Sequence, residues 1–321
     1  MSEIVTGVTP DIKKKKKGKL TYREAAKRIR RHKQLYLVIL VPMAFVFVFR
    51  YMPMYGLQIA FKDFFIMKGI WGSPWVGLRH FKLFFTSYHF SRLLLNTIGL
   101  SVYSIIAGFL PPIILAIALN ESRNMVFKKT VQMVVYAPYF LSTVIVTSML
   151  LQILSLLGIL NKVIGIIGIG PIQFLGEPGL FKSIYVWSGI WQYAGYNAII
   201  FLAALAGINP ELYEAARVDG ANKWQQVWNI DVPGILPTAI ILLILATSRV
   251  LNVGFEKVLL LQNPMNMQSS DVIDTFIYRM GLVNFEYSYS TAVGLFKSVV
   301  NLAILAIVNS IARRVSETSL W

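Results

Sequence analysis

The chain has 321 residues, 56% of them hydrophobic and only 14% charged, with a mean hydropathy of +0.60. Such a composition excludes an ordinary soluble globular domain. The formal charge of +16 does not point to nucleic acid, because 12 of the 31 lysines and arginines lie between Lys13 and Lys33, directly ahead of an apolar run. That arrangement suits a cytoplasmic tail facing anionic membrane lipid, and no aromatic-interleaved basic patch accompanies it. The absence of cysteine rules out disulfides and thiolate metal sites. His32, His80 and His89 have no metal-ligand spacing, so no metal site is expected.

In chain order, residues 1–34 read as a basic cytoplasmic tail. Lys13 to Lys17 form a self-repelling, solvated block. The stretch from Thr21 to Lys33 suits either a short basic amphipathic helix along the inner leaflet or a disordered flank. The basic region is too long, and a small-residue cleavage site is missing, for a removed signal peptide. Residues 35–321 then read as a transmembrane domain with spans near 35–52, 94–119, 131–157, 183–207, 234–262 and 289–311. Pro53 to Arg92 is an aromatic-rich outer interval. Pro111 and Pro112 predict a kinked, protein-packed second span. Arg123, Lys128 and Lys129 mark a cytoplasmic loop. Gly158 to Lys182 holds an apolar piece too short to span, read as an outer interfacial helix or a re-entrant segment. Six spans place both termini, this loop and the polar interval 208–233 on the cytoplasmic side.

That interval is a long polar stretch between the fourth and fifth spans. Glu211, Glu214, Arg217, Asp219, Lys223 and Asp231 keep it out of hydrocarbon. Pro210 and Glu211 suit a first helical turn, Gly220 a sharp bend, and Trp224, Val227, Trp228 and Ile230 the apolar face of a second helix. Pro233 is expected to close that second helix before the next span.

Glu214-Ala215-Ala216, followed by Gly220, Ile230 and Pro233, resembles the EAA signature of the transmembrane subunits of ATP-binding-cassette importers. Further segments are similar to the oligosaccharide and polysaccharide branch of sugar-importer permeases: Gly72 to Leu78, Asn96-Thr97, Phe174 to Pro178, Leu202 to Ile208, Gly294 to Ser298 and Glu317 to Trp321. The resemblance spans residues 35–321. It implies an all-α membrane protein with the type I importer permease fold and a cytoplasmic coupling helix. Glu214, Ala215, Ala216, Asp219, Gly220, Ala221 and Trp224 would then meet the nucleotide-binding subunit. Implied partners are a second homologous permease, two ATP-binding subunits that hold ATP and Mg, and an extracytoplasmic solute-binding protein. The implied substrate is an oligosaccharide or polysaccharide, with acidic, alginate-like polymers among the candidates, and the implied location is the bacterial cytoplasmic (inner) membrane. The chain itself carries no phosphate loop and no catalytic constellation, so it is read as non-catalytic.

A saccharide path needs polar groups and aromatic faces turned away from lipid. Trp187, Trp191, Gln192, Tyr196 and Asn197 supply these in the fourth span, and Tyr136, Tyr139 and Thr143 in the third. The outer half of the fifth span holds Arg249, Asn252, Glu256 and Lys257; of these Arg249, Asn252 and Glu256 are taken as path candidates. Helix-helix adhesion and interfacial anchoring explain the same residue types. Arg249 either attracts an acidic saccharide or pairs with a carboxylate such as Glu256. The competing function is an ion-coupled secondary transporter, which would need coupling carboxylates and commonly internal repeats. Glu256 alone fits that need.

Overall fold

The computed structural model describes residues 31–248 and 250–315, without the side chains of Ala312, Arg314 and Val315. The basic tail up to residue 30, Arg249 and the last six residues lie outside the described part. Two units are described separately, residues 1–56 and residues 57–321. In the first, helix α1 (Lys33–Val46) contains Pro42 and passes into a π-helical turn, Phe47–Tyr51. Its sequence, KQLYLVILVPMAFV, is apolar all round beyond the first residues. Such a helix suits a membrane rather than one face of a soluble core.

The second unit is helical among its described residues. It comprises α2 (Gly69–Gly72), α3 (Arg79–Thr86), α4 (His89–Glu121), α5 (Met125–Tyr136), α6 (Thr143–Ile153), α7 (Ile159–Ile166), α8 (Pro178–Ala206), α9 (Pro210–Val218), α10 (Lys223–Gln226), α11 (Val232–Thr247), α12 (Phe255–Leu261), α13 (Met267–Ser270), α14 (Ile273–Tyr278) and α15 (Tyr287–Val315). Among the described residues, five helical stretches are long and apolar enough to cross a membrane: Lys33–Phe61, His89–Glu121, Pro178–Ala206, Lys223–Thr247 and Tyr287–Ile311. A bent pair, Met125–Phe140 with Thr143–Ile153, brings the number to six when its two arms are counted as one span. The chain is therefore an all-α, multi-span membrane protein.

Three differences from the expected spans have local causes. The third span, expected as one helix over 131–157, bends by 98° between α5 and α6. Pro138 sits in a short 3₁₀ turn, Ala137–Phe140, and the Ser142 hydroxyl accepts the Ile145 N–H to start α6 afresh. The fifth span, expected over 234–262, begins further upstream and ends earlier. Lys223–Thr247 is one helical stretch that runs through Pro233 instead of stopping there. A π-helical turn, Val227–Asp231, lies directly before that proline, and Pro233 falls in the first turn of α11, where its missing N–H does no harm. Among the described residues between Thr247 and α12 the backbone is not helical. Side chains of other helices supply its partners there: Leu251 N–H donates to Asn301 Oδ1 (3.2 Å) and Gly254 N–H to the Tyr185 hydroxyl (3.1 Å). Irregular backbone at membrane depth needs such sheltering. By contrast, α4 runs through Pro111 and Pro112 as one helix, with Pro112 buried.

Packing centres on α4 against α8. One buried cluster joins Leu100, Phe181, Val258 and Leu261. A second joins Phe84, Leu93, Phe276 and Val293, and a third Ala116, Ala198, Phe201 and Ile235. At Gly195 a Cβ would lie 2.0 Å from the Val135 carbonyl oxygen, so only glycine allows α5 this close to α8.

Candidate functional site

The polar interval folds into a bent pair of helices. Asn209 caps α9 through its side-chain oxygen, which accepts the Glu211 N–H at 3.1 Å, and Pro210 occupies the first turn. The helix ends where Gly220 adopts φ +76°, with Ala221 N–H returning to the Ala216 carbonyl at 2.8 Å. A glycine tolerates this left-handed backbone without steric cost. Asn222 and Gln225 then form a reciprocal capping box that starts α10.

Two contacts hold the pair to the membrane helices, and a third braces the bend itself. The Tyr213 hydroxyl donates to the carboxylate of the fully buried Asp231. Burial, and then the Asp231 carboxylate, push the Tyr213 phenol well above its ordinary value. Lys223 pairs with Glu121 at the end of α4 (2.5 Å). Gln226 Nε2 donates to the Ala221 carbonyl at 3.1 Å.

The opposite side is open. Glu214, Ala215, Asp219, Gly220 and Trp224 are exposed, while Ala216 and Ala221 are half-buried. Val218 is 89% and Trp224 73% exposed. A cluster of exposed apolar groups beside acids, on a rigidly capped bend, is suited to docking against another protein. All seven residues expected in the coupling contact thus lie on this one bend.

A cavity of about 570 Å³ opens among α4, α8, α11 and α12. Its polar lining includes Ser104, Thr143, Tyr193, Asn197, Glu256 and Lys257. Of the expected path residues among those described, this cavity gathers Thr143, Asn197 and Glu256 and leaves the others elsewhere. Tyr139 and Tyr196 stack face to face, with centroids 3.7 Å apart, and Tyr193 meets Tyr139 edge-on. Tyr136 is half-buried on α5, and Asn252 is exposed in the irregular stretch. Trp187 and Trp191 are exposed, and the Trp187 indole donates to the Tyr103 hydroxyl at 3.0 Å. Gln192 is 1% exposed and donates to the Leu141 carbonyl (3.1 Å) at the bend of the third span. Arg249 lies outside the described residues. Among those described, no group of three His, Cys, Asp or Glu side chains could hold a metal ion.

Tyr193 and Lys257 were not among the sequence candidates for the path, yet both line the cavity. A lysine within an apolar run is itself a signal of an intramembrane site. Tyr193 carries no comparable signal.

Residues 108–317 match the family of binding-protein-dependent transport system inner membrane components, and the chain belongs to that family. It is a non-catalytic membrane permease subunit of an ABC importer, which sets aside the ion-coupled alternative. It is 41% identical over 294 residues to Protein LplB of Bacillus subtilis (strain 168), covering 91% of this chain and 92% of that one. The polygalacturonan/rhamnogalacturonan transport system permease protein YteP of the same organism is 41% identical over 290 residues, 90% of each chain. A crystal structure of a bacterial ABC transporter involved in the import of the acidic polysaccharide alginate contains a similar chain. The two share 41% identity with a TM-score of 0.85, over 91% of this chain and 99% of that one. A second structure, of an alginate transporter with a pentasaccharide-bound periplasmic protein, gives a TM-score of 0.85 at 40% identity over 92% of this chain.

Proposed function

We propose that this chain forms, with a second homologous permease, the translocation path for a carboxylate-bearing oligosaccharide or polysaccharide, alginate-like or pectin-like in its chemistry. An extracytoplasmic solute-binding protein delivers the saccharide, and two partner subunits bind ATP with Mg and hydrolyse it. The observation that carries this reading is similarity at 40–41% identity over nine-tenths of the chain to permeases whose names specify acidic polysaccharides. The exposed bend around Gly220 takes the coupling role, with Glu214, Ala215, Ala216, Asp219, Ala221 and Trp224 against the nucleotide-binding subunit. The path draws on the cavity residues Thr143, Asn197 and Glu256. The stacked Tyr139 and Tyr196, with Tyr136, offer aromatic faces beside it, while Trp187, Trp191, Gln192, Asn252 and Arg249 complete the set of candidates. Both termini and the coupling bend face the cytoplasm of a bacterial cell.

The test is reconstitution of the complete importer in liposomes with ATP inside and loaded binding protein outside. Uptake of an oligouronate that requires both ATP and the binding protein is the expected result. ATPase stimulation without uptake of any saccharide would remove the proposal.

A further inference from the structure

Lys257 lies on α12 and is 6% exposed, yet it lines the 570 Å³ cavity. Burying an ammonium group is costly unless charge or hydrogen bonds compensate it. Its Nζ donates to the Tyr185 carbonyl oxygen at 3.0 Å and sits 4.9 Å from the centroid of the Tyr185 ring. The ring is itself held in place, since the Tyr185 hydroxyl accepts the Gly254 N–H. An ammonium has three donors, and the carbonyl uses one. Among the described residues no carboxylate lies within ion-pair distance of Lys257, whose neighbour Glu256 is exposed. At Gly189 an added Cβ would lie 3.5 Å from Nζ, so the facing wall of α8 is kept low beside the amine.

A buried cation with unused donors, held at the wall of a polar cavity, is a receptor for an anion. From this geometry, and resting on the saccharide reading above, we infer that Lys257 binds a uronate carboxylate of the passing saccharide. Tyr193 and Asn197, on the α8 wall of the same cavity, supply a ring face and amide groups for the sugar hydroxyls and C–H surface. Glu256 does not cancel the attraction. It is exposed and forms no ion pair with Lys257, whereas the amine is buried, where charge interactions are stronger. Both line the cavity, but adjacent helical residues do not face each other. Lys257 thereby selects for charge inside the membrane, downstream of the selection made by the binding protein.

The test uses the whole reconstituted importer, with a binding protein fully loaded with an oligouronate or with its neutral methyl ester. Lys257→Gln keeps a donor for the Tyr185 carbonyl and removes the charge. Oligouronate uptake by this variant is expected to fall by about tenfold, the order of effect a charge-assisted hydrogen bond supplies, with little change for the ester. ATPase stimulation by loaded binding protein should persist, and Lys257→Arg should recover most oligouronate uptake. Equal uptake of oligouronate by wild type and Lys257→Gln overturns the inference while leaving the saccharide reading intact. Equal losses for acid and ester, or failure of Lys257→Gln to assemble, also overturn it by assigning the lysine to structure. As a check that needs no variant, the wild type should carry the acid faster than the ester, and the reverse order rejects the inference. Absence of saccharide uptake by the wild type is a separate result, which removes the functional reading itself.

Discussion

Tyr213 donates its phenolic hydrogen bond to the carboxylate of Asp231, eighteen residues further along the chain. The contact ties the first helix of the exposed bend to the turn that leads into α11. Asp231 is fully buried, and its second oxygen has no partner among the described groups, so Tyr213 carries the satisfaction of that carboxylate. A force applied to the bend by a docked subunit would reach α11, and with it the cavity wall, through this bond.

Removing the hydroxyl is therefore expected to matter more than removing an exposed group. Tyr213→Phe should cost roughly 1 to 3 kcal/mol, because a buried acceptor is left unpaired. The purified complex should melt lower, and binding-protein-stimulated ATPase should fall. Adding Asp231→Asn removes the stranded charge and should recover part of the loss, which a double-mutant cycle will read as coupling. Additive effects of the two changes would argue against a shared contact.

At Gly220 the surroundings are open. A Cβ there meets nothing within 4 Å, so any effect of substitution comes from the backbone angle of +76°. Gly220→Val should carry the left-handed penalty of roughly 1–2 kcal/mol, and Gly220→Asn noticeably less. Transport and ATPase stimulation are expected to fall together in the valine variant and to be largely kept in the asparagine variant. Indistinguishable behaviour of the two would show that the turn geometry is unimportant.

The bend was legible because its information is local: a proline at the first turn, a glycine at the corner and an apolar face at helical spacing, to which the structure adds the caps at Asn209 and Asn222. That the chain makes five or six apolar passes was legible for the same reason, since hydropathy reports length and composition. Hydropathy does not report whether the backbone inside an apolar run stays helical. The stretch after Thr247 takes its partners from other helices, Asn301 and Tyr185, and the break that Pro138 and Ser142 begin at Leu141 is held by Gln192. Likewise, spacing placed Gln192 and Tyr196 on one face of α8, but it could not tell that the first is buried under the bend and the second stacks on Tyr139.

Lys297 on α15 pairs with Asp274 on α14, joining the last span to the preceding loop. Burial holds the Asp274 carboxyl above the ordinary aspartate range, with Lys297 pulling it down. Lys297→Met should destabilise the complex by roughly 3 to 5 kcal/mol at neutral pH by stranding the carboxylate. Without the lysine the folded-state value rises further above the unfolded one. The ionised form then costs stability above that value, and protonation relieves it as pH falls. The difference in melting temperature between wild type and variant should accordingly be larger at pH 8 than at pH 5. A deficit that grows towards acid would refute the assignment.

Topology can be read directly, because the chain has no cysteine of its own. Ser73, the obvious polar choice for an outer label, is a poor one: it is buried, donates to the Gly69 carbonyl at 2.6 Å and accepts the Phe65 N–H. Met67 is 97% exposed and suits the purpose. Met67→Cys should react with an impermeant thiol reagent in intact cells. Val218→Cys, on the coupling bend, should react only in inverted vesicles. Labelling of the Val218 position from outside would contradict the proposed orientation of the bend.

Gln192 separates a path role from a structural one. Its amide nitrogen donates to the Leu141 carbonyl at the break of the third span, while its Oε1 is buried without a partner. Gln192→Leu loses the donor but also removes that unsatisfied oxygen, so the two effects oppose each other. The net loss should stay at or below the roughly 1 to 3 kcal/mol expected for one stranded group. Gln192→Glu replaces the donor with a carboxylate facing a carbonyl in a dry site and should be far more damaging. If the residue only supports the bend, both variants lower the melting temperature in that order. The concentration of loaded binding protein giving half-maximal uptake should then stay unchanged in the leucine variant. A leucine variant of wild-type stability with saccharide-dependent loss of uptake would instead assign Gln192 to the translocation path.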